Sequence, residues 1–150
     1  MKLYLAGPCD SEHRTLMTHI ANWFEKNTYY KIYKPWELKI ENAWDYSQEE
    51  WARKVYDADK KAIDECDIML VVSLGRISSA GTNWEQGYAY GIGKLVCVMQ
   101  IGDECTSLMT YCGCNAFINA DSNNDINEAL EKLLLRSIFK AHGNCTTVLT

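Results

Sequence analysis

Short runs of apolar residues alternate along the chain with stripes of apolar residues at helical spacing. The run from Lys2 to Ala6 is closed by a Gly-Pro pair and predicts a first strand that ends in a tight loop. Helical spacing follows from about Ser11 to Lys26, and the alternating segment from Tyr29 to Tyr33 predicts a second strand. These patterns predict a strand-helix-strand unit.

A capping box begins the next helix. In Ser47-Gln48-Glu49-Glu50 a hydroxyl can accept from an early amide and a carboxylate can return the bond, so we expect a helix from there to about Cys66. Its predicted inner stripe consists of Ala52, Val55, Asp59, Ala62 and Cys66. Asp59 is anomalous in this stripe, because the other members are apolar or small.

Two continuous apolar runs, Ile68 to Val72 and Leu95 to Met99, are typical of strands buried on both faces. The segment from Asn115 to Asn119 predicts a fifth strand, and the segment from Ile126 to Phe139 predicts a closing helix. Residues 143–150 are predicted as a C-terminal tail.

Strands that alternate with helices over this length predict one α/β domain at residues 1–142. The expected fold is a doubly wound, flavodoxin- or Rossmann-like five-stranded parallel sheet with helices on both faces. In such folds ligands bind beyond the carboxyl ends of the strands. The candidate binding segments are therefore Gly7 to Asp10, Ser73 to Thr82 and the loop after Met99.

Composition narrows the choice of partner and compartment. The 150 residues are 47% hydrophobic and carry a net charge of -5, which disfavours binding to a nucleic acid polymer because such binding relies on clustered Lys and Arg. No stretch is apolar enough for a membrane span, and the start of the chain does not resemble a signal peptide. We therefore expect a soluble cytoplasmic protein.

The cysteines point the same way. Seven is an odd number, which favours reduced thiols over a disulfide framework. Cys105, Cys112 and Cys114 lie close in sequence, but no histidine or second cysteine pair completes a zinc site, so they are interpreted as core residues.

Candidate chemistry concentrates between Ser78 and Gly87, a segment that follows a buried strand and opens a helix. Thr82 and Glu85 fit a second capping box, which is the structural interpretation of both residues. The functional interpretation places Glu85 at the mouth of the sheet, where helix amides favour the ionised carboxylate. Such a carboxylate can attack the anomeric carbon of a sugar, as in retaining glycosidases, if a second acid protonates the leaving group.

Asp59 is the candidate for that second acid. Apolar neighbours desolvate the charged carboxylate and raise its pKa, which suits donation of a proton to a departing base. The structural alternative is that Asp59 caps a neighbouring loop or pairs with Lys60 or Lys61. The residues alone leave both interpretations open.

The order and spacing of these residues resemble the nucleoside 2-deoxyribosyltransferase family over nearly the whole chain. The resemblance rests on Tyr4-Leu5-Ala6-Gly7-Pro8, on Asp59 eight residues before Asp67, and on Gly81-Thr82-x-x-Glu85-x-Gly87-x-Ala89-x-x-x-Gly93-Lys94. It implies that Glu85 is the nucleophile on C1′ and that Asp59 handles the base. It also implies that Tyr4 helps to place the nucleophile and the sugar.

Two positions depart from the transferases of that family. Those enzymes carry an aspartate six residues before the nucleophile and an asparagine from a neighbouring subunit, which bind a free 5′-hydroxyl; here the positions are Ser79 and Ser107. Serine at both is similar to the nucleoside 5′-monophosphate N-glycosidases, which include deoxynucleotide N-hydrolases and cytidine monophosphate hydrolases. A hydroxyl can donate to a phosphate that an aspartate repels. The resemblance also implies a homodimer or larger assembly in which Ser107 completes a neighbour's site.

Further residues are predicted to contact the substrate. The predicted substrate-binding set is Gly7, Pro8, Ser79, Gly81, Thr82, Ser107 and Trp36. Trp36, Trp44 and Trp84 are candidates for a wall against the base, with ordinary packing as the alternative.

The first loop weakens the case for a phosphate. The N-glycosidases have a serine- and arginine-bearing loop after the first strand, whereas this chain has Gly7-Pro8-Cys9-Asp10, and Asp10 has the wrong charge. Arg14, His13 or Arg76 are candidates to replace that arginine, with solvated surface positions as the alternative.

Three hypotheses follow. The first is a hydrolase that releases the base from a ribo- or deoxyribonucleoside 5′-monophosphate through a covalent glycosyl-Glu85 intermediate. The second is a deoxyribosyltransferase that passes the same intermediate to another base, and the third is a non-catalytic nucleotide-binding sensor. No metal or organic cofactor is implied, because the carboxylate pair suffices. A flavin carrier is disfavoured, because the first loop lacks a cradle for a flavin phosphate.

Overall fold

The computed structural model describes residues 1–102, 104–121, 123–135 and 147–149, and within these ranges strands and helices alternate. In chain order the elements are β1 (Lys2–Ala6), α1 (Arg14–Asn27), β2 (Lys31–Tyr33), α2 (Gln48–Glu65), β3 (Ile68–Ser73), α3 (Ala80–Gly91), β4 (Leu95–Ile101), α4 (Leu108–Cys112), β5 (Ala116–Ala120), α5 (Asn123–Leu135) and β6 (Thr147–Leu149). The strands form one parallel sheet in the order β2-β1-β3-β4-β5-β6.

The predicted α/β fold is confirmed, with the five expected strands in a parallel sheet and helices on both faces. Where the sequence predicts a tail, residues 147–149 add a sixth strand beside β5. The closing helix begins at Asn123, before the predicted start, and its predicted end at Phe139 lies outside the described residues, as does the predicted domain boundary at 142.

Side chains alternate between the two faces of the sheet. Leu3 and Leu5 of β1 lie in the hydrophobic cluster that includes Phe24 of α1 and Leu130 of α5. Tyr4 belongs to the opposite cluster, which includes Ile63 of α2 and Ala89 of α3. Because successive side chains of a strand point to opposite faces of the sheet, Tyr4 lies on the face covered by α2 and α3.

Helix α2 begins as predicted, because both hydrogen bonds of the Ser47–Glu50 capping box are present. Its expected inner stripe is wrong at Ala52, which is exposed, and within the helix it is Ile63 that is buried. Asp59 lies half-buried in the middle of the helix. Helix α2 thus packs closely only near its carboxyl end.

The strand order places a crevice between β1 and β3. The chain leaves β1 through α1 and leaves β3 through α3, on opposite faces, so the loops diverge at the carboxyl edge of the sheet. Gly7 is needed here, because a Cβ would lie 2.7 Å from Met17 Cε and 3.1 Å from Val72 Cβ. This crevice carries the candidate site.

Across the described ranges, no helix combines the length and the apolar character needed to cross a membrane. Six of the cysteines lie in these ranges and are free thiols. The expectation of core positions is correct for Cys114 and wrong for Cys105 and Cys112, which are exposed.

Candidate active site

Glu85 projects from the second turn of α3 toward the first strand. The helix begins at Ala80, because the Ser79 hydroxyl accepts from the Thr82 amide at 3.1 Å. The predicted capping box of Thr82 and Glu85 is therefore wrong. Glu85 Oε1 instead accepts a hydrogen bond from Tyr4 Oη at 2.8 Å.

The ionisation of Glu85 is governed by burial. Burial raises the pKa of Glu85 to about 7; the Tyr4 hydrogen bond opposes this rise, and the nearby Asp59 carboxylate adds to it. The sequence-based expectation that helix amides favour the ionised form is wrong in direction, because loss of hydration outweighs those favourable contacts. The carboxyl is consequently poised between its two protonation states near neutral pH.

Asp59 approaches the same region from α2. Its Oδ1 accepts a hydrogen bond from Tyr33 Oη at 2.8 Å, and burial raises its pKa despite that bond. The predicted direction of the pKa shift is confirmed. The alternative pairing is wrong, because Lys60 bonds Asp64 at 2.8 Å and Lys61 lies 4.0 Å from Glu65.

Two stacked tyrosines each donate a hydrogen bond to one of the two carboxyls. Tyr4 and Tyr33 occupy paired positions on β1 and β2, and their rings stack at 5.1 Å between centroids with an interplanar angle of 21°. One hydroxyl donates to Glu85 and the other to Asp59. Tyr33 was not identified from the sequence, because its role depends on the parallel register of the two strands.

Glu85 lies where two cavities meet. The first, of about 380 Å³, is lined by Gly7, Pro8, Cys9, Asp10, His13, Val72, Leu74, Ile77, Ser78, Ser79, Gly81, Thr82 and Glu85. The second, of about 320 Å³, is lined by Tyr56, Asp59, Gly81, Trp84 and Glu85. We call them the first-loop cavity and the aromatic cavity. Seven predicted site residues therefore line one or both, and Tyr4 bonds one of them.

Two predicted substrate-binding residues lie elsewhere. Trp36 is half-buried and packs against the core cluster on the α1 face. Ser107 caps α4 and lines a separate groove of about 550 Å³ with Asn83 and Gln86. Of the other tryptophans considered, Trp44 is 99% exposed and lines neither cavity, whereas Trp84 lines the aromatic cavity.

The three residues considered for phosphate binding differ in whether they line the first-loop cavity. His13 lines the first-loop cavity, but its Nδ1 lies 2.9 Å from Asp10 Oδ1. Arg14 donates to the carbonyl oxygens of Cys9 and Trp36, which braces the loop. Arg76 pairs with Glu104 at 3.5 Å on the surface. Neither arginine lines the first-loop cavity.

A polar network anchors the loop between β3 and α3. Buried Gln100 accepts hydrogen bonds from Ser73 Oγ at 3.2 Å and Thr106 Oγ1 at 2.9 Å, and it donates to the Glu104 carbonyl at 2.8 Å. Ser78 Oγ in turn accepts from the Leu74 amide. This network holds the turn that delivers Ser79 to the helix start.

One group of potential metal ligands is present among the described residues. Side-chain atoms of Asp10, Glu12 and His13 lie within 4.8 Å of one another, at exposed or half-exposed positions. Since Asp10 already bonds His13, this grouping is accounted for by a surface hydrogen bond.

The two partly buried carboxyls lie beside adjoining cavities at the carboxyl edge of the sheet, where ligands bind in doubly wound folds. A pair of carboxyl groups is also the catalytic equipment of glycoside hydrolases. The family model for nucleoside 2-deoxyribosyltransferase matches residues 3–127. The chain belongs to the nucleoside 2-deoxyribosyltransferase family, whose members act on small nucleosides or nucleotides. None of the curated proteins matches the sequence significantly.

Solved structures share the fold. A 2-deoxyribosyltransferase from Bacillus psychrosaccharolyticus is 24% identical, with a TM-score of 0.67 over 85% of this chain and 90% of the other. The CMP N-glycosidase BcmB of Clostridium botulinum is 17% identical, with a TM-score of 0.62 over 87% and 99%. A conserved protein from Enterococcus faecalis V583 is 17% identical, with a TM-score of 0.56 over 99% and 81%.

Proposed function

We propose that this protein is a nucleoside 5′-monophosphate N-glycosidase that hydrolyses the base-sugar bond through a covalent glycosyl-Glu85 intermediate. The observation that carries the proposal is the arrangement of two carboxyls around one cavity, each held by its own tyrosine. A binding module has no need of two carboxyls with raised pKa values, which disfavours the sensor hypothesis.

The first chemical step joins Glu85 to the sugar. A carboxylate oxygen of ionised Glu85 attacks C1′, the C1′–N bond breaks, and its electron pair leaves with the base. Protonated Asp59 gives its proton to the departing nitrogen. Tyr4 holds Glu85 Oε1, which orients the nucleophile throughout this step.

The second step restores the enzyme. Water attacks C1′, the bond to the Glu85 oxygen breaks, and the sugar phosphate leaves with the new hydroxyl. Asp59, now ionised, takes the proton that the water loses. Both carboxyls return to their starting protonation states, so no metal or organic cofactor is required.

The first-loop cavity is assigned to the sugar and its 5′-phosphate. Ser78, Ser79 and Thr82 supply hydroxyl groups around it, and the start of α3 favours an anion. Asp10 opposes a phosphate, because its hydrogen bonds with His13 hold the pKa of the carboxyl below its usual value and keep it ionised. Ser79 thus acts chiefly by capping the helix that faces the phosphate.

The aromatic cavity is assigned to the base. Trp84 and Tyr56 line it, with ring centroids 5.3 Å apart, and both keep exposed ring surface. Planar bases stack favourably on such rings. Trp84 therefore replaces Trp36 as the proposed wall against the base.

We also propose that the active form is a homodimer or larger assembly. Leu108 and Met109 are 80% and 82% exposed beside Ser107, which is unfavourable for a monomer in water. Ser107 lines a groove separate from the cavities at its own Glu85, so we assign it to the active site of a neighbouring copy. Light scattering should give at least twice the chain mass, and Leu108→Glu should shift the protein to monomer.

A second candidate is a nucleoside deoxyribosyltransferase, and one observation favours it. The Asp10 carboxylate lines the first-loop cavity, where it can accept a hydrogen bond from a free 5′-hydroxyl. In that case a second base, in place of water, attacks the same Glu85 intermediate.

The experiment that separates these functions is base release from matched nucleosides and nucleoside 5′-monophosphates, with and without an added acceptor base. Hydrolysis predicts base release from monophosphates without acceptor, and loss of that release in Glu85→Gln but not in the exposed control Glu128→Gln. Products that appear only from nucleosides plus acceptor would establish transfer. An absence of turnover from every substrate would refute both functions.

A further inference from the structure

Tyr33 lies behind Asp59 and lines neither cavity at Glu85. Its hydroxyl donates to Asp59 Oδ1 at 2.8 Å, while its ring stacks on Tyr4, which is fully buried. It is further held by strand pairing, since Tyr33 is the register partner of Tyr4. A rigid, paired strand therefore presents this hydroxyl to a helix that is only loosely packed at Asp59.

The donated bond distinguishes the two oxygens of Asp59. A protonated carboxyl carries its hydrogen on one oxygen and accepts hydrogen bonds at the other. Because Oδ1 accepts the bond from Tyr33, the hydrogen of protonated Asp59 is favoured on Oδ2. Burial and the neighbouring carboxylates raise the pKa of both Tyr33 and Tyr4, so both phenols keep their protons and remain donors. Oδ2 is consequently the oxygen that carries the acidic proton.

We propose that Tyr33 is a positioning residue that orients Asp59 and directs its transferable proton to Oδ2, for donation to the departing base. The inference rests on the proposed function and adds a residue to it. Each tyrosine of the stacked pair then has its own role: Tyr4 orients the nucleophile Glu85, and Tyr33 orients the acid Asp59.

The ionisable groups that face Asp59 belong to four parts of the fold. They are Tyr4 on β1, Cys9 in the first loop, Tyr33 on β2 and Glu85 on α3. Of these, Tyr33 is the group whose hydrogen bond lowers the pKa of Asp59 against the effect of burial. Its removal should therefore raise that pKa.

The test compares Tyr33→Phe, which keeps the ring and its stack, with the matched control Tyr88→Phe. Tyr88 makes the same kind of bond, from its hydroxyl to Asp64 at 2.6 Å, and it lines neither cavity. Its ring stacks on Trp84 at 5.2 Å, a contact that phenylalanine keeps. The substrates are a purine nucleoside 5′-monophosphate and its N7-methylated form, whose cationic base leaves as a neutral molecule without needing a proton.

Tyr33→Phe should lower kcat/KM, which reports the steps up to base release, about tenfold on the unmodified nucleotide and by less than about twofold on the N7-methylated one, because only the first base needs general acid catalysis to leave. Tyr88→Phe should change neither rate. An equal loss on both substrates, or no loss on either, would overturn the proposal.

A titration decides the matter independently of turnover. Carbon-13 NMR of the carboxyl groups should show a higher pKa for Asp59 in Tyr33→Phe and an unchanged value in Tyr88→Phe. If the unmodified protein releases base from no purine or pyrimidine nucleoside 5′-monophosphate, the proposed function fails. An Asp59 titration that does not respond to loss of the Tyr33 hydroxyl would overturn the positioning role.

Discussion

Replacing Glu85 by glutamine should abolish turnover and at the same time stabilise the fold above neutral pH. Glutamine keeps an oxygen that can accept from Tyr4 but carries no charge to be desolvated. The pKa of Glu85 in the folded protein is about 7, against the usual 4.5 of a glutamate side chain. Because the folded state holds the proton more tightly, the stability of the unmodified protein falls as pH rises through this window.

The size of the effect follows from the same shift. A pKa difference of this size, at about 1.36 kcal/mol per unit, corresponds to a destabilisation of about 3 kcal/mol once Glu85 is ionised in both states. Glu85→Gln should therefore match the unmodified protein in unfolding free energy at about pH 4 and exceed it by up to about 3 kcal/mol above about pH 8.

Urea unfolding followed by circular dichroism, across this pH range, measures the difference directly. Glu128→Gln is the control, because Glu128 is an exposed carboxyl on α5 whose side chain is 63% accessible. Its unfolding free energy should follow that of the unmodified protein at every pH. A difference between Glu85→Gln and the unmodified protein that does not change with pH would refute the assignment of a desolvated carboxyl.

Three further predictions concern turnover. The unmodified enzyme should give a bell-shaped pH profile, because one carboxyl must be ionised and the other protonated; Asp59→Asn should remove the alkaline limb and lower kcat by about a hundredfold or more. Tyr4→Phe should lower kcat about tenfold and move the limb that reports ionisation of Glu85 to higher pH, because the bond from Tyr4 lowers the pKa of Glu85; an unmoved pH profile would contradict this role. Trp84→Ala should raise KM roughly tenfold while the shape of the pH profile is kept, because base stacking is lost but the carboxyls remain; steady-state kinetics distinguishes these outcomes, and an unchanged KM would exclude Trp84 from the base site.

Much of the fold could be predicted because its strongest signals are local. The apolar runs of β3 and β4 match strands buried on both faces, and the Ser47 capping box starts α2 where expected. Strand β6 has no such signal, since it is three residues long and depends on the edge of β5 for its hydrogen bonds. Local pattern cannot predict an element that tertiary pairing creates.

The start of α3 shows how a correct motif can be misassigned. Ser79 and Thr82 can each cap a helix, and only Thr82 is followed at the right distance by a glutamate. The structure selects Ser79, because the turn before it is fixed by the bond from the Leu74 amide to Ser78 Oγ. Glu85 therefore does not take part in the helix cap, and its side chain bonds Tyr4 instead.

The two carboxyl residues of the site could be predicted from the sequence, whereas the residues that surround them could not all be identified. Asp59 stood out as an acid in an apolar stripe, and the family motif pointed to Glu85. The tyrosine that holds Asp59 depends on strand register, and the raised pKa of Glu85 depends on burial that only the packed structure defines. Which tryptophan lines the site also depends on the packed structure, because Trp36 packs against the core cluster on the α1 face and Trp84 lines the aromatic cavity. The sequence alone does not distinguish the two.

The central claim is that Glu85 becomes covalently bonded to the sugar, and intact-protein mass spectrometry tests it most directly. A 2′-fluorinated nucleoside 5′-monophosphate is a suitable probe, because fluorine beside C1′ destabilises the oxocarbenium-like transition state and slows release of the intermediate. We expect an added mass equal to that of the fluorinated nucleotide minus its free base, located on the peptide that contains Glu85 and absent in Glu85→Gln. Base release without any such adduct, or an adduct that persists in Glu85→Gln, would contradict it.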